Sequence, residues 1–176
     1  CYSGLRGELT EAGHVSPGMV EGRRRGVLFD AGSSPALLRN ADALGLAGAL
    51  SRIDAIVLSH GHDDHTGGLA GVLARLNREV PVYVGPGFFV RKVGEVSSAW
   101  RYIGVSRSRS ELEGMGARIV EGAPAGEVLP GLVLTSEIPR REEWEEMSRV
   151  LCIQPGSAAP EPDPFTDEQV LAARTA

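Results

Sequence analysis

Three of the four histidines in this chain fall within six residues, in Ser59-His60-Gly61-His62-Asp63-Asp64-His65-Thr66-Gly67-Gly68. The spacing is His-x-His-x-Asp-His. Neutral imidazole is the commonest metal ligand, and a carboxylate is its natural companion on a divalent ion. Side chains two apart in a turning segment can converge on one ion, and the adjacent Asp64 and His65 then point to a second. His60, His62, Asp64 and His65 are therefore the candidate metal ligands, with Asp64 also the candidate catalytic carboxylate. The bland alternative is a solvated, His-rich polar loop. Context opposes it: the stretch follows the apolar run Ile56-Val57-Leu58 and leads into a helical pattern. A loop at the end of a buried strand is where sites are built.

The elements that must carry this loop can be read on both sides. Ile53 to Ser59 reads as a buried strand, and Leu69, Val72, Leu73 and Leu76 recur at helical spacing. Upstream, Val27-Leu28-Phe29 is a strand ending at Asp30. Ser33-Ser34-Pro35 opens a helix over Ala36 to Leu44, which Gly45 stops. Downstream, Val80 to Val84 is a strand whose Pro81 suits an edge or a strand start. Ser108 to Glu111 is a capping box for a helix reaching Met115, and Arg118 to Glu121 and Leu132 to Ser136 are strands.

Other stretches are less informative. His14 reads as a surface loop residue and Arg23-Arg24-Arg25 as the turn of a hairpin. Phe88, Phe89, Trp100 and Tyr102 gather within 88–105, as packing under a loop or as a substrate-facing wall. Glu142 to Glu146 is an acidic, solvated face, and Gly156 to Pro164 is a loop. Of the 18 basic residues only Lys92 is Lys, which reads as compositional bias.

The loop resembles the hallmark of the metallo-β-lactamase superfamily of dinuclear metal hydrolases. Leu28-Phe29-Asp30-Ala31-Gly32, Ile53 to His62, Thr66-Gly67-Gly68-Leu69 and Gly131 to Arg140 are similar to one branch of it. That branch is named for 7,8-dihydropterin-6-methyl-4-(ribofuranosyl)aminobenzene-phosphate synthase. The resemblance implies an α/β fold, the N-terminal part of a four-layer αββα sandwich with the C-terminal half largely missing. It implies two divalent ions, Zn2+ first and Mn2+ or Fe2+ otherwise, that activate a bridging hydroxide. His60 and His62 would hold one ion, Asp64 and His65 the other. Asp30 would stand beneath the loop and orient it by hydrogen bonds. Asp163-Pro164-Phe165-Thr166-Asp167-Glu168 resembles an Asp-rich stretch of the branch. The later histidines that complete the family site are absent, since no histidine follows His65. Cys152, Asp163 or Asp167 could in principle substitute, but none stands in a matching motif.

Length and composition frame these expectations. A chain of 176 residues fits one domain, here a partial one over 1–176. A net charge of −5 argues against a nucleic-acid surface and for a small-molecule substrate, phosphorylated or pterin-like by resemblance. Cys1 and Cys152 form no spaced pair, and no apolar run approaches a membrane span, so a cytoplasmic protein is expected. The start at Cys1, and an ending at 169–176 that reads as mid-helix, suggest a fragment. Such a chain would act as a hydrolase only when complete. A pterin-directed transferase, or an incomplete, non-catalytic metal-binding domain, are the alternatives.

Overall fold

The computed structural model describes residues 14–20, 23–135, 138 and 150–173. In chain order its elements are β1 (His14–Val20), β2 (Arg23–Phe29), α1 (Ala36–Ala43), α2 (Ala47–Leu50) and β3 (Ile53–Val57). Then come α3 (Asp63–Thr66), α4 (Leu69–Leu76), β4 (Val80–Val84), β5 (Lys92–Val96) and β6 (Ala99–Tyr102). The rest are α5 (Arg109–Gly114), β7 (Ala117–Glu121), β8 (Gly126–Leu129), β9 (Leu132–Thr135), β10 (Leu151–Ile153), β11 (Glu161–Pro162) and β12 (Val170–Ala173).

The main sheet runs β1-β2-β3-β4-β7, antiparallel between β1 and β2 and parallel from β2 to β7. Parallel strands need crossovers, and α1, α4 and α5 supply them on one face. Leu37 and Ala41, Leu69, Val72 and Leu73, and Leu112 pack there on Leu28, Ile56, Val82 and Val84. The other face carries Val27, Ala55 and Val57, which meet Leu132 and Leu134 of a second sheet ordered β12-β9-β8. Helices, sheet and second sheet thus form α, β and β layers. A third sheet, β11-β10-β5-β6, is antiparallel throughout.

The mixed α/β class holds. Among the described residues no helix is long and apolar enough to cross a membrane. Pro81 sits inside the main sheet, at a strand start: pairing with β3 begins at Val82, so its missing N–H costs no bond on that side. The Ser108 box forms in full, its hydroxyl accepting from the Glu111 amide while the Glu111 carboxylate accepts from the Ser108 amide.

Several expectations change. Arg23, Arg24 and Arg25 begin a strand rather than a turn, pairing with Val20, Met19 and Gly18. His14 lies in β1 opposite Phe29, not in a loop. Val170 to Ala173 is a strand on β9, because pairing Leu171 with Leu134 lets Leu171 pack on the second core. An isolated helix there would leave that edge bare. Glu161 and Pro162, placed in a loop by composition, add a short strand to β10. Neither reading of the aromatic cluster covers it. Phe88 is fully buried in the core, whereas Trp100 and Tyr102 stand about half exposed on β6. Ser136, Glu137, Pro139, Arg140 and the acidic run Glu142 to Glu146 lie outside the described residues.

Candidate metal centre

The buried strand β3 ends at Val57, and the chain crosses Leu58 and Ser59 into a loop that turns at once into α3. That loop sits at the carboxyl ends of parallel strands, where α/β sheets open their crevices. Two glycines let it pack. A Cβ on Gly67 would meet the Ser33 carbonyl oxygen at 2.1 Å, and one on Gly68 the Ala31 oxygen at 2.1 Å. Only glycine permits the backbone of 31–34 to close on the start of α4.

Asp30, at the end of β2, has φ +60°, an uncommon left-handed conformation for a residue other than glycine. That turn aims its carboxylate under the loop. Oδ1 accepts from the Ser59 amide at 2.7 Å, while Oδ2 accepts from the Ser59 hydroxyl at 2.9 Å and faces His65 Nδ1 at 2.7 Å. A carboxylate only accepts, so His65 Nδ1 carries the proton and Nε2 keeps its lone pair for a cation. The Ser59 hydroxyl has one proton and gives it to Asp30. Toward His60 Nδ1, 3.0 Å away, it therefore accepts, which leaves the lone pair of His60 Nε2 free as well. Asp30 thus hydrogen-bonds both the loop, at Ser59, and one of its rings, at His65.

The donor atoms of His60, Asp64 and His65 lie within 4.8 Å of one another. His65 is buried, His60 half-buried and Asp64 exposed, so the group opens to solvent on the carboxylate side. Burial, with the nearby His65, His62 and Lys92, pushes His60 down to about 3, so its ring is neutral at physiological pH, as ligation requires. Burial works against protonation of His65 too, but the Asp30 hydrogen bond and charge outweigh it and raise its pKa.

His62 stands apart from that trio. Its ring lies 4.8 Å from the His60 ring, edge to face, and its Nε2 faces Asp163. That nitrogen is buried and has no hydrogen-bond partner, with Asp163 Oδ2 at 3.4 Å. The donor atoms that gather within 4.8 Å of one another are those of His60, Asp64 and His65, with the His62 ring beside that of His60.

Asp163 and Asp167 do not join the donor group. They lie behind the loop and share the ammonium of Lys92, at 2.6 and 3.1 Å, all three side chains being essentially inaccessible. Burial raises the Asp163 carboxyl, but the close approach of His62 and the bond from Lys92 outweigh this and hold it far below the usual range. For Asp167 burial prevails over Lys92 and the Gly61 amide, and its pKa is raised. Cys152 is buried in β10, its thiol pushed up by burial. Phe165 packs its ring on His62 and His60, with centroids 5.2 and 5.7 Å away. Gln169 closes the floor, donating from Nε2 to the carbonyls of Leu58 and Tyr83. Sequence reasoning missed Lys92, Phe165 and Gln169. The available signals were that Lys92 is the chain's single lysine and that Phe165 lies in the Asp163 to Glu168 stretch already singled out.

An imidazole–carboxylate trio that could hold a metal ion thus stands at the mouth of a parallel sheet in an α/β fold, hydrogen-bonded from below by an aspartate. The chain belongs to the metallo-β-lactamase superfamily, whose family model matches residues 10–140. Two proteins of Methanocaldococcus jannaschii resemble it. One, 7,8-dihydropterin-6-methyl-4-(beta-D-ribofuranosyl)-aminobenzene-5'-phosphate synthase, is 32% identical over 94 residues, 52% of this chain and 31% of that one. The other is an uncharacterized protein, 29% identical over 167 residues, 93% of this chain and 60% of its own length. Among solved structures, a metal-dependent hydrolase of the β-lactamase superfamily superposes with TM-score 0.67 at 23% identity. That likeness covers 97% of this chain and 57% of the other. The chain therefore spans less than two thirds of the length of these relatives.

Proposed function

We propose that the loop 60–65 holds divalent metal, Zn2+ first, and that the whole protein is a metal-dependent hydrolase with a dinuclear centre. The observation that carries this is the convergence of His60, Asp64 and His65 within 4.8 Å, two of them with tautomers that leave a lone pair facing inward. The donor set fits the ion. Two imidazoles and a carboxylate are the ligand chemistry of a catalytic zinc, which keeps a further position open. His62 extends the set to a second ion through the ring nitrogen that does not face Asp163.

When bound, such ions polarise water for attack at a phosphoryl or carbonyl centre and offset the negative charge that develops there. The chain's own residues do the rest. Asp30 and Ser59 hold the His60 and His65 rings in the ligating tautomer. Asp64, on the open side of the group, is the carboxylate placed to meet substrate or water. A small substrate, phosphorylated or pterin-like, suits the acidic chain better than nucleic acid.

The 32% identity over 94 residues to the pterin-phosphate synthase favours a second reading, in which the same centre serves transfer onto a pterin carbon. Metal analysis of the purified protein tests the shared premise. Two tightly held ions per chain are expected, and fewer than one rejects catalysis by this loop. Assays with phosphoesters and with a reduced pterin then separate hydrolase from transferase.

A further inference from the structure

We propose that Lys92 is a positioning residue for the metal loop, acting through Asp163 on His62 and through Asp167 on the backbone of Gly61. This rests on the reading that the loop binds metal. It assigns a role to the one lysine and to the 163–167 segment, neither of which supplies a ligand.

The geometry is specific on both arms. On the first, Lys92 Nζ meets Asp163 Oδ2 at 2.6 Å, and the same oxygen lies 3.4 Å from His62 Nε2. On the second, Nζ meets Asp167 Oδ1 at 3.1 Å, while Asp167 Oδ2 accepts from the Gly61 amide at 2.8 Å. One ammonium thus fixes two carboxylates, and each carboxylate touches a different part of His60-Gly61-His62. The fit leaves no slack: a Cβ on Gly61 would lie 2.5 Å from the Phe88 carbonyl oxygen and 3.2 Å from Lys92 Cε. The backbone follows the same route. The Lys92 carbonyl accepts from the Ile103 amide, and the Ile103 carbonyl accepts from the amide of Asp63.

Stability alone does not account for the arrangement. Removing three charges from water costs several kcal/mol per ion, and an apolar trio of equal volume often does as well. What the ions supply is direction. A carboxylate facing one nitrogen of a ligating imidazole fixes the ring and its tautomer, so the other nitrogen faces the cation. Phe165 completes the clamp. Its φ is +52°, strained for a bulky side chain, and its amide donates to Asp163 Oδ1 at 2.8 Å while its ring presses on His62 and His60. The segment therefore grips the loop with one ring and two carboxylates, and Lys92 holds the carboxylates.

The test is Co2+ titration of the intact protein and of Lys92→Met and Asp163→Asn, read by competition with a chromophoric chelator and by the visible spectrum of bound cobalt. We expect both variants to keep the far-UV circular dichroism of the parent, bind Co2+ at least 10-fold more weakly and show an altered cobalt spectrum. If Lys92→Met does not fold, Asp163→Asn decides alone. Leu112→Ala, a cavity in the core, provides the comparison. A cobalt spectrum shifted as much by Leu112→Ala as by the loop variants would mean general loosening, and the proposal falls. It falls equally if folded variants bind Co2+ like the parent with an unchanged spectrum. A parent protein that binds no Co2+ would instead overturn the metal-loop reading itself.

Discussion

At the scale of single residues, the site is decided by which groups can only accept a proton. Asp30 is the clearest case. Its carboxylate accepts from the amide and hydroxyl of Ser59 and from His65 Nδ1, so one side chain sets the loop's entry and the tautomer of a ring. Asp30→Asn keeps the size but places an amide donor among donors. We expect metal affinity to drop about 10- to 100-fold with the fold intact, as measured by chelator competition. An unchanged affinity would deny Asp30 its orienting role. The residues legible in sequence at this scale were those with local signatures: the His-x-His-x-Asp-His spacing and the Asp30-Ala31-Gly32 strand end. Lys92, Phe165 and Gln169 were not legible. Their partners lie far away in sequence, such as Leu58 for Gln169 at a separation of 111 residues, and no spacing rule reaches that distance.

At the scale of elements, local chemistry was read well wherever it was self-contained. The box at the start of α5 is built from Ser108 and Glu111 alone, so four residues suffice to foresee it. Here the titration has a definite sign. The bonds from the Ser108 backbone and hydroxyl hold the Glu111 carboxyl below its ordinary 4.5. The unfolded chain therefore takes up the proton first as pH falls. The contribution of Glu111 to stability is complete above the unfolded value and is lost as pH drops through the lower, folded one. Comparing Glu111→Gln with the parent in denaturant should give a difference at neutral pH that closes in acid, once the carboxyl is protonated in both states. A gap that persists in acid would rule out the carboxylate as its source. Elements that depend on a distant partner were read poorly. Val170 to Ala173 has helix-compatible residues and becomes a strand only because β9 offers an edge. The Arg23 run was assigned to a turn by its charge, whereas its pairing with β1 makes it strand. In both, tertiary pairing overrides local composition.

On the scale of the whole molecule, α, β and β layers carry the loop at the open end of the main sheet, so an ion held as proposed would be linked to the stability of the fold. A ligand that binds only the folded state stabilises it by about 2.7 kcal/mol when present at 100 times its dissociation constant. For a chain of this size that is roughly 5–11 °C in Tm. Stripping the metal with a chelator should lower Tm by that amount, and restoring Zn2+ should recover it. An identical Tm with and without metal would count against a preformed centre. The layer order was foreseeable only through the resemblance to the superfamily, whereas the strand–loop–helix succession around the histidines could be read segment by segment. The third sheet was not. β5, β6, β10 and β11 are short, and they acquire meaning only once the chain has returned to pair Leu151 with Gly94.

That return has a kinetic corollary. Gly61 receives its carboxylate from a residue 106 positions later, and the Ser59 carbonyl its amide from Gln169. During synthesis the histidines leave the ribosome long before the residues that seat them, and so long a loop closes late. The helices and main sheet can assemble first, with the imidazoles still free to rotate. Seating of the imidazoles then waits on the arrival of a distant segment that contributes no donor atom to the group.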